Sequence, residues 1–183
     1  MMREVFMKLF KLTLAVALAG ATMFGAASSA SAAEKNWTPP AHKIYAQKLS
    51  DETMAAHPEL LSFTLHGVPP GETDKYTMFA GSYPDRIGNG DDPDDIDVSK
   101  KGITIVDPRW NRTKDNPKKT VVLLPMRDAK GENVGLVVYA FKNPPANPNT
   151  SAEELALLKK SAELRDALAK KIPSYKALFD EAK

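Results

Sequence analysis

The sequence predicts an α+β fold: an antiparallel sheet of about five strands with an N-terminal helix and a C-terminal helix against it. Three observations carry that prediction. Residues 60–68 alternate apolar and polar side chains, residues 120–126 and 133–142 are apolar runs joined by hairpin chemistry, and apolar residues recur at helical spacing near both ends of the chain.

The chain has 183 residues, the size of one ordinary domain. Arg3, Lys8 and Lys11 precede the apolar run 12–19, and Ala30-Ser31-Ala32 offers the small residues of a cleavage site. Residues 1–32 therefore read as a signal peptide cleaved after Ala32, which places the protein in the periplasm or outside the cell. The alternative is a retained membrane anchor; the apolar run is short and is followed by Gly20 and Thr22, which favours cleavage. Cleavage removes three of the 25 basic and one of the 23 acidic residues, so the two signs balance. A neutral surface argues against a nucleic-acid or anionic-membrane partner. The absence of cysteine fits an exported protein that does not depend on disulfides.

Thr38-Pro39-Pro40 reads as a helix start, and Ile44, Tyr45, Leu49 and Ala56 continue at helical spacing until Pro58 stops the element. Leu61, Phe63 and Leu65 then point one way, and Ser62, Thr64 and His66 the other, as in a half-buried strand. Pro69-Pro70-Gly71 ends it. A second strand from Tyr76 to about Tyr83 follows after a short polar connection, as in an antiparallel hairpin. An acidic loop comes next, with a helical turn expected near 93–98. A short third strand, 102–106, and a polar connection, 109–119, lead to strands four and five. Asp128-Ala129-Lys130-Gly131 joins those two as a turn. Residues 121–124 and 134–141 are apolar on both faces and belong mid-sheet with cover on each side. Pro125 cannot donate to a ladder and marks an edge or a bulge. Residues 143–149 are a stiff Asn/Pro linker. Thr150 and Ser151, each with a glutamate three positions on, are overlapping capping boxes for a helix of about 152–171, with a last helical piece over 175–182.

The segments H-P-E-L (57–60), S-Y-P-D-R-I-G (82–88), D-D-P-D-D (91–95) and L-L-P-M-R-D-A-K-G-E-N-V-G-L-V-V-Y-A-F-K (123–142), in this order, resemble a single Cache (PAS-like, PDC-type) extracellular sensor domain. The resemblance covers roughly 40–142. It implies a five-stranded antiparallel sheet with a small-molecule pocket between one sheet face and the loops over it. Such domains sit outside a membrane, upstream of a kinase, cyclase or chemotaxis module. This chain departs from that plan, since no membrane-spanning run or output domain follows the sheet before Lys183. The expectation is a free-standing ligand-binding domain at 33–149 with a helical extension at 150–183, presenting its ligand to a separate membrane receptor or kinase.

The chemistry is expected in Tyr76–Asp97, which mixes a lone arginine and many aspartates with Tyr76, Met78, Phe79, Tyr83 and Ile87. Arg86 offers a rigid donor fork for a carboxylate, or else a salt bridge to Asp85, Asp92 or Asp94. Asp92 and Asp94 either hold a ligand ammonium or cap the turn at Pro93. Tyr76, Ser82, Tyr83 and His66 complete the expected ligand set, with core packing the competing role for the aromatics. The aspartate spacing fits no EF-hand, and His42, His57 and His66 have no metal-ligand spacing, so neither a metal nor a cofactor is expected. No G-x-S-x-G elbow, Walker loop or dinucleotide fingerprint is present, and the chain reads as a binder rather than an enzyme, a hydrolase being the alternative. A third reading is an accessory protein using the Leu164/Leu168 stripe to dock a receptor or form a homodimer. Packing of that stripe on the domain's own sheet is the simpler role.

Overall fold

The computed structural model describes residues 34–108, 118–142 and 150–183; the expected signal peptide, most of the connection 109–119 and the linker 143–149 lie outside them. Helix α1 (Tyr45–Ala56) is followed by strands β1 (Leu60–Gly67) and β2 (Thr77–Gly81), helix α2 (Pro93–Lys101), strands β3 (Ile105–Pro108), β4 (Lys119–Arg127) and β5 (Asn133–Lys142), and helix α3 (Ser151–Ala169). The strands form one antiparallel sheet in the order β2-β1-β5-β4-β3. This is the α+β architecture with a helix at each end that the sequence predicts.

The two central strands, β5 and β4, are covered on both faces, as their apolar runs require. On one face Phe63, Leu65, Val122, Leu124, Val137, Tyr139 and Phe141 form a large core with Leu49 of α1 and Leu168 of α3. The Leu157/Leu164/Leu168 stripe thus packs on the chain's own sheet. On the other face Val121, Leu123, Leu136 and Ala140 cluster with Val98 of α2, with Leu61, Ile105 and Val138 partly buried around them. That thinner cover leaves room on this face for a cavity.

Local chemistry explains the turns. The β4–β5 turn closes as the buried Asp128 accepts from the Lys130 and Glu132 amides, 2.9 and 3.0 Å away, and Gly131 takes φ +84°. Pro125 sits beyond the reach of β3, and the ladder to β5 slips between Pro125 and Arg127, the expected bulge. Of the two overlapping capping boxes, α3 uses Thr150 with Glu153.

Three expectations need correction. The amino-terminal helix starts at Tyr45 and not at Thr38-Pro39. The carboxyl-terminal segment holds the stretch before it extended: Ile44 bridges Glu181, the Tyr45 amide donates to the Asp180 carbonyl at 2.8 Å, and the Ala182 amide donates to the Lys43 carbonyl at 2.8 Å. The same pairing limits the expected final helix to a 3-10 turn, Lys176–Phe179. Leu61 does not share a face with Phe63 and Leu65. A bulge in β1 between Leu60 and Ser62 places it with the thinner cluster on the opposite face.

Candidate functional site

The open sheet face carries a cavity of about 220 Å³. Ser62, Thr64 and His66 of β1 supply its polar floor, and Val121, Leu123, Val138 and Ala140 of the central strands its apolar floor. Tyr83, Arg86, Asp92, Asp94 and Asp95 stand over it from the segment between β2 and the first turn of α2. Asp107 of β3 and Lys119 of β4 close the far side, and each already has a polar or ionic partner.

The β2–α2 segment is pinned by backbone bonds rather than by its charges. The Met78 amide donates to the Asn89 carbonyl at 3.1 Å, the Gly88 amide to the Met78 carbonyl at 2.8 Å, and the Asp91 amide to the Tyr76 carbonyl at 3.1 Å. The extended stretch 34–37 lies outside it, with the Asn36 amide donating to the Gly88 carbonyl at 2.9 Å. Gly88 has φ +91° with the Trp37 carbonyl directly against its missing side chain, so no other residue fits there without movement. This pinning swings Asp91 in beside the floor of the cavity.

His66 is the centre of the polar floor. Its Nδ1 lies 2.7 Å from Oδ1 of Asp91, and its Nε2 lies 2.7 Å from Oγ1 of Thr64. The side chains of His66 and Asp91 are only 9% and 1% exposed. Burial pushes the His66 pKa down, but the carboxylates of Asp91 and Asp95 more than offset it against the opposing charge of Arg86. The net direction is up, toward the imidazolium. Asp95 moves up as well, chiefly because it is buried and despite the attraction of His66. Carboxylate oxygens of Asp91 and Asp95 and a ring nitrogen of His66 lie within 4.8 Å of one another.

Of the residues expected from sequence, the structure brings together Arg86, Asp92, Asp94, Tyr83 and His66 around the cavity. Ser82 lies outside it: its amide and hydroxyl continue the β1–β2 pairing with Phe63 at 2.9 and 3.2 Å. Tyr76 lies outside it too, its ring 5.1 Å beneath the Lys100 ammonium. Arg86 stacks on Tyr83, 5.3 Å from the ring centre. Among the described residues, Arg86 forms none of the alternative salt bridges to Asp85, Asp92 or Asp94. Asp92 occupies the N-cap position of α2, but its side chain makes no cap bond. Sequence reasoning missed Asp91, Asp95, Thr64, Asp107 and Lys119. The one available signal was the four-residue spacing from Asp91 to Asp95 across a helix start.

No family model and no curated protein matches the chain. Among solved structures it is similar to the Agobacterium tumefaciens repressor BlcR, at 11% identity and a TM-score of 0.43 over 70% of this chain and 67% of that one. It is also similar to the second GAF domain of DevS from Mycobacterium smegmatis, at 13% identity and 0.43 over 68% and 92%. A type II free methionine-R-sulfoxide reductase from Thermoplasma acidophilum, at 17% identity and 0.42 over 69% and 90%, is a third such likeness.

Proposed function

We propose that the protein is an exported, sensor-type binding domain that takes a small polar metabolite, an amino acid or organic acid, in the cavity on the His66 face. One observation carries this reading: the cavity presents both signs of charge over an apolar floor. Arg86 and Lys119 stand on its rim with Asp92, Asp94, Asp95 and Asp107, and Val121, Leu123, Val138 and Ala140 lie beneath. An apolar base with a few convergent polar groups is the usual make-up of a small-ligand site, and 220 Å³ is below the roughly 300–1,000 Å³ of drug-sized pockets. The carboxylates are suited to an ammonium group and the Arg86 fork to a carboxylate. Both together favour an amino acid over a simple organic acid. Export, supported by the leader pattern of residues 1–32, and membership of the Cache-type sensors, supported by the motifs at 82–95 and 123–142, belong to the same reading.

Thr64, His66 and Asp91 also line up as hydroxyl, imidazole and carboxylate, an order known from hydrolases. A base in that role must be neutral to accept the hydroxyl proton. The carboxylate that pushes His66 toward its charged form is the one such an arrangement uses to stabilise an imidazolium, so the direction of the shift does not separate turnover from binding.

The test is thermal unfolding against a panel of amino acids, organic acids and amines. A ligand at about 100 times its Kd adds about 2.7 kcal/mol to stability, so at least one compound raises the Tm by several degrees. Arg86→Ala abolishes the shift for ligands that carry a carboxylate. A flat response across the panel contradicts the proposal, and an unchanged shift in the Arg86 variant removes that residue from the site.

A further inference from the structure

His66, Asp91 and Asp95 come from three separate places, β1, the pinned stretch before α2, and the first turn of α2. They nevertheless present one imidazole nitrogen and two carboxylate oxygens within 4.8 Å of one another. A second observation is independent of that convergence. The Asp91 side chain is 1% exposed, and while its Oδ1 meets His66, its Oδ2 is buried with no hydrogen-bond partner. A buried carboxylate oxygen left without a donor carries a desolvation penalty that a cation removes. We propose that His66 Nδ1, Asp91 and Asp95 are the protein ligands of one divalent transition-metal ion of the zinc or manganese type.

The donor set selects the class. Calcium and magnesium prefer shells of oxygen alone, and imidazole with carboxylates suits zinc and its neighbours. With no cysteine in the chain, a thiolate-held ion is excluded. The ion replaces the proton between the two side chains, taking His66 Nδ1 and the unpartnered Oδ2 of Asp91. Tetrahedral ligands of a zinc ion stand about 3.3 Å apart, so the carboxylate turns and the pair opens from its 2.7 Å contact to admit it. Thr64 serves either state. Its hydroxyl accepts from Nε2–H when Nδ1 binds metal, orienting the ring as outer-shell groups commonly do. Three protein ligands leave a coordination position open. His66 and Asp95 both line the cavity, so water or a ligand oxygen completes the shell there. Metal binding itself does not rest on the small-molecule proposal.

The full chain, stripped with EDTA and exchanged into metal-free buffer, is titrated with zinc, manganese, magnesium and calcium by calorimetry, and with cobalt(II) by visible absorption. The expected result is one equivalent of zinc or manganese bound and a cobalt spectrum of nitrogen and oxygen ligation, with no added metabolite. Asp95→Asn and Asp91→Asn abolish that equivalent, Thr64→Val weakens it by about 10-fold, and His42→Ala and His57→Ala leave it intact. Circular dichroism identifies any variant that fails to fold. Asp95 is half-buried at a helix start, so the asparagine substitution there decides the question even if Asp91→Asn unfolds. Absence of a saturable equivalent, its persistence in folded Asp95→Asn, its loss in His57→Ala, or equal binding of calcium or magnesium overturns the proposal.

Discussion

At the scale of single residues, burial separates groups that the sequence presents as equals. Five aspartates lie between Asp91 and Asp97, and nothing in their order says that Asp91 is sealed against His66 while Asp92 and Asp94 are exposed. Arg86, Asp92 and Asp94 were legible as site residues because they are neighbours in one charged loop. The His66–Asp91 pair was not, because its partners are 25 positions apart and only the pinned loop brings them together. Tyr139 shows burial acting without a partner. Its ring packs on Phe63 at 5.3 Å, but its hydroxyl is enclosed with nothing to bond, and burial pushes its pKa up. An orphaned hydroxyl costs about 1–3 kcal/mol. Tyr139→Phe keeps the ring contact and removes the orphan, so its Tm should rise by about 2–4 °C per kcal/mol recovered. A fall in Tm on calorimetric unfolding would show that the hydroxyl has a partner after all.

At the scale of elements, the strands were legible because alternation and two-faced apolar runs follow directly from the pleat and from central placement. The departures lie where tertiary pairing overrides local preference. Thr38-Pro39-Pro40 is a good helix start in isolation, yet Lys43 and Ile44 are held extended by the carboxyl-terminal segment and the helix begins only after them. The bulge that reassigns Leu61 leaves no mark in the alternation itself. A second irregularity, in β2, takes the pairing from Leu65↔Ala80 to His66↔Met78. It puts Met78 beside His66 on the cavity face and Phe79 in the opposite core. Gly135 supports this region from β5. It has φ +132°, and a Cβ there would collide with the His66 carbonyl. Gly135→Ala should therefore destabilise by more than the roughly 1 kcal/mol of an ordinary glycine substitution, and should weaken ligand binding because β1 must shift. Urea unfolding with an unchanged midpoint would contradict the collision.

At the scale of the whole molecule, one sheet divides the chain's work. The face under α1 and α3 is a continuous core, and the face under the short α2 is left open and charged. Stability should report on that charged face in the metal-stripped protein. The groups facing His66 are Asp91 and Asp95, which favour its protonation, and Arg86, which opposes it. Because the folded pKa is raised above the ordinary 6.5, this stabilisation is fully present below 6.5 and is lost as pH rises through the folded value. Asp95, also raised, acts in the same direction over a lower range that begins at the ordinary 3.8. Tm measured from pH 6 upward should fall more steeply in the natural protein than in His66→Gln; parallel profiles would mean that His66 does not titrate as described.

The central claim, that the cavity on the His66 face binds a small metabolite, is tested most directly by amide chemical-shift mapping of the labelled protein with the compound that gives the largest thermal shift. The account predicts saturable perturbations concentrated in 62–66, 83–95 and 119–123, with α1 and α3 largely unmoved. Perturbations centred on the α1–α3 face, or none at saturating ligand, would contradict it.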